Sequence, residues 1–270
     1  MTEFLQGLVL GIIQGITEWL PVSSEGINTL IQIHFFDKSV PEAITISIWL
    51  HLGTVLAALT YFRKEVADLL RHLPHYLKEL PASNSSEPNA LITFLIISTL
   101  LTGAIGAPLF LLSRDLEDIP VGIITAIIGV FLIITGLLQR YASKSVGTRT
   151  TTGIKDALLL GVVQAFSVFP GLSRSGLTIS ALLIRGYESK RAIKLSFLMS
   201  IPVVLAAEIG LGILDPIDFN APAVGGAVTA FIFGFLTLGA LIRIAGRIAF
   251  WKFCLFLGAL SMLPLLIEKL

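Results

Sequence analysis

The sequence predicts an all-α integral membrane protein: an inverted-topology repeat with six full transmembrane helices plus two re-entrant helical hairpins. Three observations predict it. Of the 270 residues, 54% are hydrophobic and only 14% charged, whereas soluble domains carry roughly 25% charged residues. The apolar runs are about 20 residues long, enough to cross roughly 30 Å of hydrocarbon as helices. They also lack the alternation of barrel strands. Finally, Gly11–Gly26 aligns without gaps on Gly161–Gly176, and Gly11/Gly161, Gln14/Gln164, Ser23/Ser173 and Gly26/Gly176 are identical pairs.

Full spans are expected near 42–62, 91–113, 120–139, 191–213, 223–242 and 249–267, three in each half of a single membrane domain. Repeat one covers 1–145 and repeat two 150–270. The aligned motifs lie in extra segments, about 4–36 and 156–186, each made of two apolar stretches too short to cross and joined by a polar turn. Such a segment enters and leaves by one face. An odd number of crossings per half starts the second half on the opposite face, which inverts the repeat.

Basic residues orient this layout. Arg63, Lys64, Arg140, Lys144, Arg185 and Lys190 all fall on one face, which holds most of the Lys and Arg, while the other receives Lys38, Arg114 and Lys269. Basic loops stay in the cytoplasm. Both termini are therefore expected outside a multi-pass plasma-membrane protein, with the first hairpin dipping from outside and the second from inside. Residues 63–90 read as an interfacial amphipathic piece followed by a polar linker. The N-terminus lacks a basic n-region and a small-residue cleavage site, so it reads as mature structure. A net charge of +1 without a basic patch outside the loops argues nothing for nucleic acid, and no nucleic-acid partner is expected. Cys254 is the only cysteine, which excludes an intrachain disulfide and fits an inert helix residue.

The chemistry is expected where the two turns meet, because paired broken helices mark buried polar sites in membrane proteins. Glu18, one turn before Pro21, is an ionisable residue at membrane depth, and such residues are costly enough to be functional candidates. Arg174 is the basic residue that the layout leaves away from both loop faces, and a guanidinium suits phosphate oxygens. It sits in PGLSRSG, Pro170–Gly176, with Ser173, Ser175 and turn N–H groups just before a new helix. Helix N-termini with such turns bind anions. The first turn, PVSSEG, sets the Ser23 and Ser24 hydroxyls beside Glu18 and Glu25, which suits nucleophilic attack or metal-assisted phosphoryl transfer. Serines there also cap helices. Gln14 shares the Glu18 face and is expected to orient substrate or water. Thr178 adds a hydroxyl one turn into the second inner helix. Glu208 reads either as a second-site carboxylate or as a snorkelling side chain, and His51 fits packing as well as catalysis. His34, His72 and His75 lie near interfaces. No HExxH, Walker or GxGxxG arrangement is present.

The elements QGITEWLP, VSSEG and PGLSRSG, with YFRKE at Tyr61–Glu65, resemble the undecaprenyl-diphosphate phosphatase, or bacitracin-resistance, family over essentially the whole chain. The resemblance implies inverted repeats with two re-entrant hairpins. It also implies a phosphatase that removes the terminal phosphate of a polyprenyl (undecaprenyl-type) diphosphate at the outer face, with a divalent cation, Mg2+ or Ca2+. By position, Glu18 is similar to the second acid of the family's E-x-x-x-E motif and Ser24 to its serine nucleophile. Ser173, Arg174 and Thr178 match phosphate-binding positions. Glu18 and Glu25 are the metal candidates. Two departures stand out: Gln14 replaces the first acid, and Ile27 replaces the histidine that follows the serine motif. Glu25, where the family has threonine, adds a carboxylate. The expected function is this hydrolysis, with a polyprenyl-phosphate flippase or a catalytically silent lipid-binding relative as the alternatives. The expected partners are the bilayer and the lipid diphosphate, with a homodimer left open.

Overall fold

The computed structural model describes residues 1–78, 86–114, 119–214, 220–244 and 249–263. Among them the chain forms the helices α1 (Glu3–Thr17), α2 (Ser24–Phe35), α3 (Val40–Tyr61), α4 (Arg63–Lys78), α5 (Glu87–Arg114) and α6 (Val121–Ala142). After these come α7 (Ile154–Ala165), a 3-10 turn (Phe166–Val168), α8 (Arg174–Ile184), α9 (Ser189–Leu214), α10 (Ala221–Ile244) and α11 (Phe250–Leu260). Five of them, α3, α5, α6, α9 and α10, are long and apolar enough to cross a membrane. The sixth expected span, 249–267, is described as the 11-residue α11, and 264–270 lie outside the described residues. Residues 79–85 of the expected linker, Arg247, Lys269 and the side chains of Arg114 and Arg243 also lie outside them.

The short helices stop where the sequence requires it. At about 1.5 Å per residue, α1 and α2 extend about 22 Å and 18 Å, less than the hydrocarbon thickness. Pro21 and Pro170 follow α1 and the 3-10 turn, and the residue before a proline is driven from helical geometry. Ser23 and Ser173 then cap α2 and α8 by accepting the N–H groups of Gly26 (3.3 Å) and Gly176 (3.1 Å). Helix α4 is amphipathic, buries Tyr76, and is tied to α9 by Glu65 and Lys194 at 2.9 Å. Burial, the largest single influence, would raise the Glu65 carboxyl, but the Lys194 hydrogen bond, its own backbone N–H and the charges of Lys194 and Lys64 together hold it below its usual range.

Packing follows two parallel schemes. Helix α10 lies on α1 and α3, and α5 lies on α7 and α9. Both crossings use small residues to bring backbones close, as membrane helices do. A Cβ at Gly11 would stand 2.1 Å from Gly226 O, and one at Gly161 2.9 Å from Leu101 Cβ. Hydroxyls seal the same crossings: Thr229 Oγ1 donates to Leu8 O (3.2 Å) and Thr102 Oγ1 to Gly161 O (3.0 Å). The interior holds Trp19 edge-on to Phe197, with Val55, Phe62 and Leu238 around them, and a second cluster around Phe94, Leu160, Tyr187 and Met199. Leu100 and Leu236 on the long helices α5 and α10, and Phe256 on the short α11, are each more than half exposed, so the outward faces of these helices carry apolar side chains. The base of α7 is stapled to the end of α8: buried Asp156 accepts from Arg149, Arg185 Nε (2.9 Å) and Tyr187 Oη (3.0 Å).

At Gly11 the α1–α10 contact has no room for a Cβ. Gly11→Ala should destabilise the protein by about 1–3 kcal/mol through overpacking, read as a lower midpoint of thermal unfolding in detergent. Gly103→Ala, which meets nothing within 4 Å, should leave the midpoint unchanged.

Candidate active site

The two turns touch. Ser23, at the head of α2, adopts a left-handed backbone (φ 59°), and its Oγ accepts the Gly171 N–H of the second turn at 3.0 Å. Gly171 is itself left-handed (φ 102°) and packs against Ile128 O, where a Cβ would sit at 2.6 Å. Ser175 Oγ returns the link by donating to Leu20 O (3.0 Å). Helix α6 seats both turns: Gln139 Nε2 donates to Pro21 O, and Thr135 Oγ1 donates to Gly171 O and accepts Ser173 N–H. Turn geometry, not loop flexibility, therefore sets where the flanking side chains end up.

The result is an ion pair between turns. Arg174 Nη2 donates to Glu18 Oε1, with the two side chains 13% and 4% exposed. Oε2 of the same carboxylate accepts Ser24 Oγ–H at 2.7 Å and Gln14 Nε2–H at 2.9 Å, and His51 Nε2 lies 3.2 Å away. Asn28 Nδ2 holds Gln14 by donating to its Oε1 (2.9 Å). A buried carboxylate is tolerable only with such partners. Here it has a guanidinium on one oxygen and three polar groups around the other.

One cavity of about 320 Å3 runs from this cluster along the second halves of α5 and α9. Glu18, Ser24, Glu25, His51 and Arg174 stand at its polar end, while Phe110, Val203 and Val204 belong to its apolar walls. Ser23, Ser173 and Ser175 also line it, although their hydroxyls are engaged in the turns. Two of the sequence-selected residues stand behind the wall. Gln14 backs Glu18, and Thr178 donates to Arg174 O (2.8 Å) and meets Ser196 Oγ (2.7 Å), so it fixes the backbone under Arg174. Glu25 lines the cavity and makes no hydrogen bond or ion pair among the described residues. Glu208 lies on the α9 wall with its Oε1 buried and unpartnered.

His51 is the residue whose place the sequence left open. The rule that selected Glu18, that an ionisable group in an apolar span is expensive, applies equally to it. Its distance from the two motifs in the chain hid its contact with Glu18. Among the more peripheral histidines, His34 Nε2 meets Thr125 Oγ1 (3.1 Å) and His72 Nε2 meets Asn89 Oδ1 (2.7 Å). No three His, Cys, Asp or Glu side chains converge on a metal position among the described residues.

Fold and site define a class: a multi-pass helical membrane protein with an ion-paired polar site, rich in serine hydroxyls, at the end of an apolar cavity. Residues 7–263 match the family of bacitracin resistance protein BacA, and the chain belongs to that family. It is 46% identical over 265 residues to the undecaprenyl-diphosphatase of Methanococcoides burtonii, covering 98% of this chain and 99% of that one. Identity is 38% over 267 residues with the undecaprenyl-diphosphatase of Methanothrix thermoacetophila, covering 96% of each chain. With that of Haloarcula marismortui it is 36% over 269 residues, covering 97% of each.

The contact between turns carries a stability expectation. Ser23→Ala leaves the buried Gly171 N–H without its acceptor and should cost about 1–3 kcal/mol. Thermal unfolding in detergent should show a larger loss for it than for Ser24→Ala, whose hydroxyl lies within the first hairpin.

Proposed function

We infer that the protein is a membrane phosphatase that hydrolyses a polyprenyl diphosphate of the undecaprenyl type to the monophosphate and inorganic phosphate, recycling a lipid carrier. The observation that carries this reading is the contiguous set Ser24–Glu18–Arg174 at the polar end of an apolar cavity. A hydroxyl hydrogen-bonded to a carboxylate is an activated nucleophile. A guanidinium beside it binds phosphoryl oxygens and offsets charge developing in the transition state.

In the proposed reaction Arg174, helped by N–H groups at the start of α8, holds the diphosphate with its terminal phosphorus facing Ser24. Ser24 Oγ attacks in line while its proton passes to Glu18 Oε2. The bond from phosphorus to the bridging oxygen breaks, and the lipid monophosphate leaves. Water then attacks the phosphoserine phosphorus, Glu18 returns its proton to the leaving Ser24 Oγ, and the proton of the water departs with inorganic phosphate. The apolar cavity walls accommodate the start of the isoprenoid chain.

A divalent cation, which would neutralise phosphoryl charge, fits one mode of binding better than another. Glu18 already has both oxygens engaged, so an all-protein cage around it is disfavoured. Glu25 lines the cavity wall and makes no hydrogen bond or ion pair among the described residues, so its carboxylate would hold such a cation.

The paired packing schemes, with Gly11 and Gly161 at equivalent crossings, support an inverted repeat of six spans and two re-entrant hairpins. On the arginine and lysine distribution, the second halves of α5 and α9 point outward. The cavity then opens toward the outer face of a plasma membrane, with both termini on that side.

Phosphate release by purified protein in detergent tests the reading. Wild type should release phosphate from a polyprenyl diphosphate. Arg174→Ala, Glu18→Gln and Ser24→Ala should each lose roughly 100-fold or more in kcat/KM. Chelation of divalent cations should abolish release, and Glu25→Gln should raise the cation concentration needed to restore it. Release by Ser24→Ala at the wild-type rate would remove serine as the nucleophile, and lipid translocation without hydrolysis would favour a flippase.

A further inference from the structure

Ile27 and Gln14 leave the first hairpin without a histidine or a second acid in contact with Glu18, so the polar set around this carboxylate is completed from elsewhere. His51 belongs to α3, outside both hairpins, and lines the cavity. Its Nδ1 lies 2.9 Å from Ser47 O and 3.2 Å from Ile48 O, one turn back on its own helix. That tether points Nε2 at Glu18 Oε2, 3.2 Å away. Both ring nitrogens thus face oxygen atoms, and an Nε2–H is the form of the ring that can donate to Glu18.

The geometry around Glu18 shows what such a donor accomplishes. A guanidinium fork prefers to take both oxygens of a carboxylate. If Arg174 did so, Glu18 would turn away from Ser24, and the hydroxyl would lose its acceptor. Oε2 is kept from Arg174 by donors on its other side, Gln14 Nε2 and His51 Nε2. Gln14 is a neutral amide on the same helix as Glu18. His51 approaches from a different helix, so it alone of the two fixes the carboxylate relative to α3 and the cavity wall.

We propose that His51 is a positioning residue for phosphoryl transfer, its Nε2–H holding Glu18 Oε2 against the Ser24 hydroxyl and out of the grip of Arg174. This rests on the phosphatase reading above. The role depends on an N–H donor at that point in space and not on ring volume, which separates it from packing.

Steady-state phosphate release from a polyprenyl diphosphate in detergent micelles, with thermal unfolding recorded for each protein, tests it. His51→Leu should lower kcat roughly 10- to 100-fold with KM within about threefold of wild type, as a misaligned nucleophile would. His51→Gln, whose amide can donate to Oε2, should recover most of that loss, and His51→Met serves in place of leucine if that variant aggregates. Wild-type kcat in a folded His51→Leu or His51→Met protein would overturn the proposal, as would His51→Gln being as slow as leucine. Wild-type protein that releases no phosphate would instead overturn the phosphatase reading and this inference with it.

Discussion

The pairing of Glu18 with Arg174 is the constraint on which the rest of the structure turns. Each charge sits in a broken helix within an apolar fold, and neither is affordable alone. Placing them in contact demands that two turns 156 residues apart in the chain meet within hydrogen-bonding distance. The chain satisfies that demand with backbone devices: left-handed Ser23 and Gly171, the reciprocal bonds of Ser23 and Ser175, and α6 as a common seat. Close glycine crossings at α1–α10 and α5–α7 hold the helices that lead into those turns.

From this constraint follows the division of labour among chemically similar residues. Four serines crowd the turns, yet Ser23, Ser173 and Ser175 spend their hydroxyls on caps and links, while Ser24 aims its own at a carboxylate. Three carboxylates border the cavity, and they differ just as sharply. Glu18 is saturated by partners, whereas Glu25 lines the cavity without a hydrogen bond among the described residues. The same logic makes Thr178 a support for the Arg174 backbone and not a wall of the cavity.

Much of this was legible in the sequence because the signals are local. Apolar runs gave the long helices α3, α5, α6, α9 and α10 to within a few residues. Prolines followed by serine-glycine turns gave the two breaks, and the gapless repeat from Gly11 and Gly161 pointed to their meeting. Glu18, Gln14, Ser24 and Arg174 were selected, and the structure brings them into contact. What stayed hidden depends on distances between elements. Which serine caps and which donates to Glu18 is decided by a left-handed backbone at Ser23 that its residue type does not announce. His51 reaches Glu18 because α3 passes beside the first turn, a consequence of packing that no motif spacing encodes.

A double-mutant cycle on Glu18→Gln and Arg174→Met, followed by reversible unfolding in detergent or bicelles, tests the central claim most directly. Each single substitution leaves a buried charge short of its partner and should cost about 3 kcal/mol. The double variant should then be more stable than the sum of the two by at least about 1 kcal/mol. Strictly additive losses would mean that the two charges do not meet, and would contradict the account.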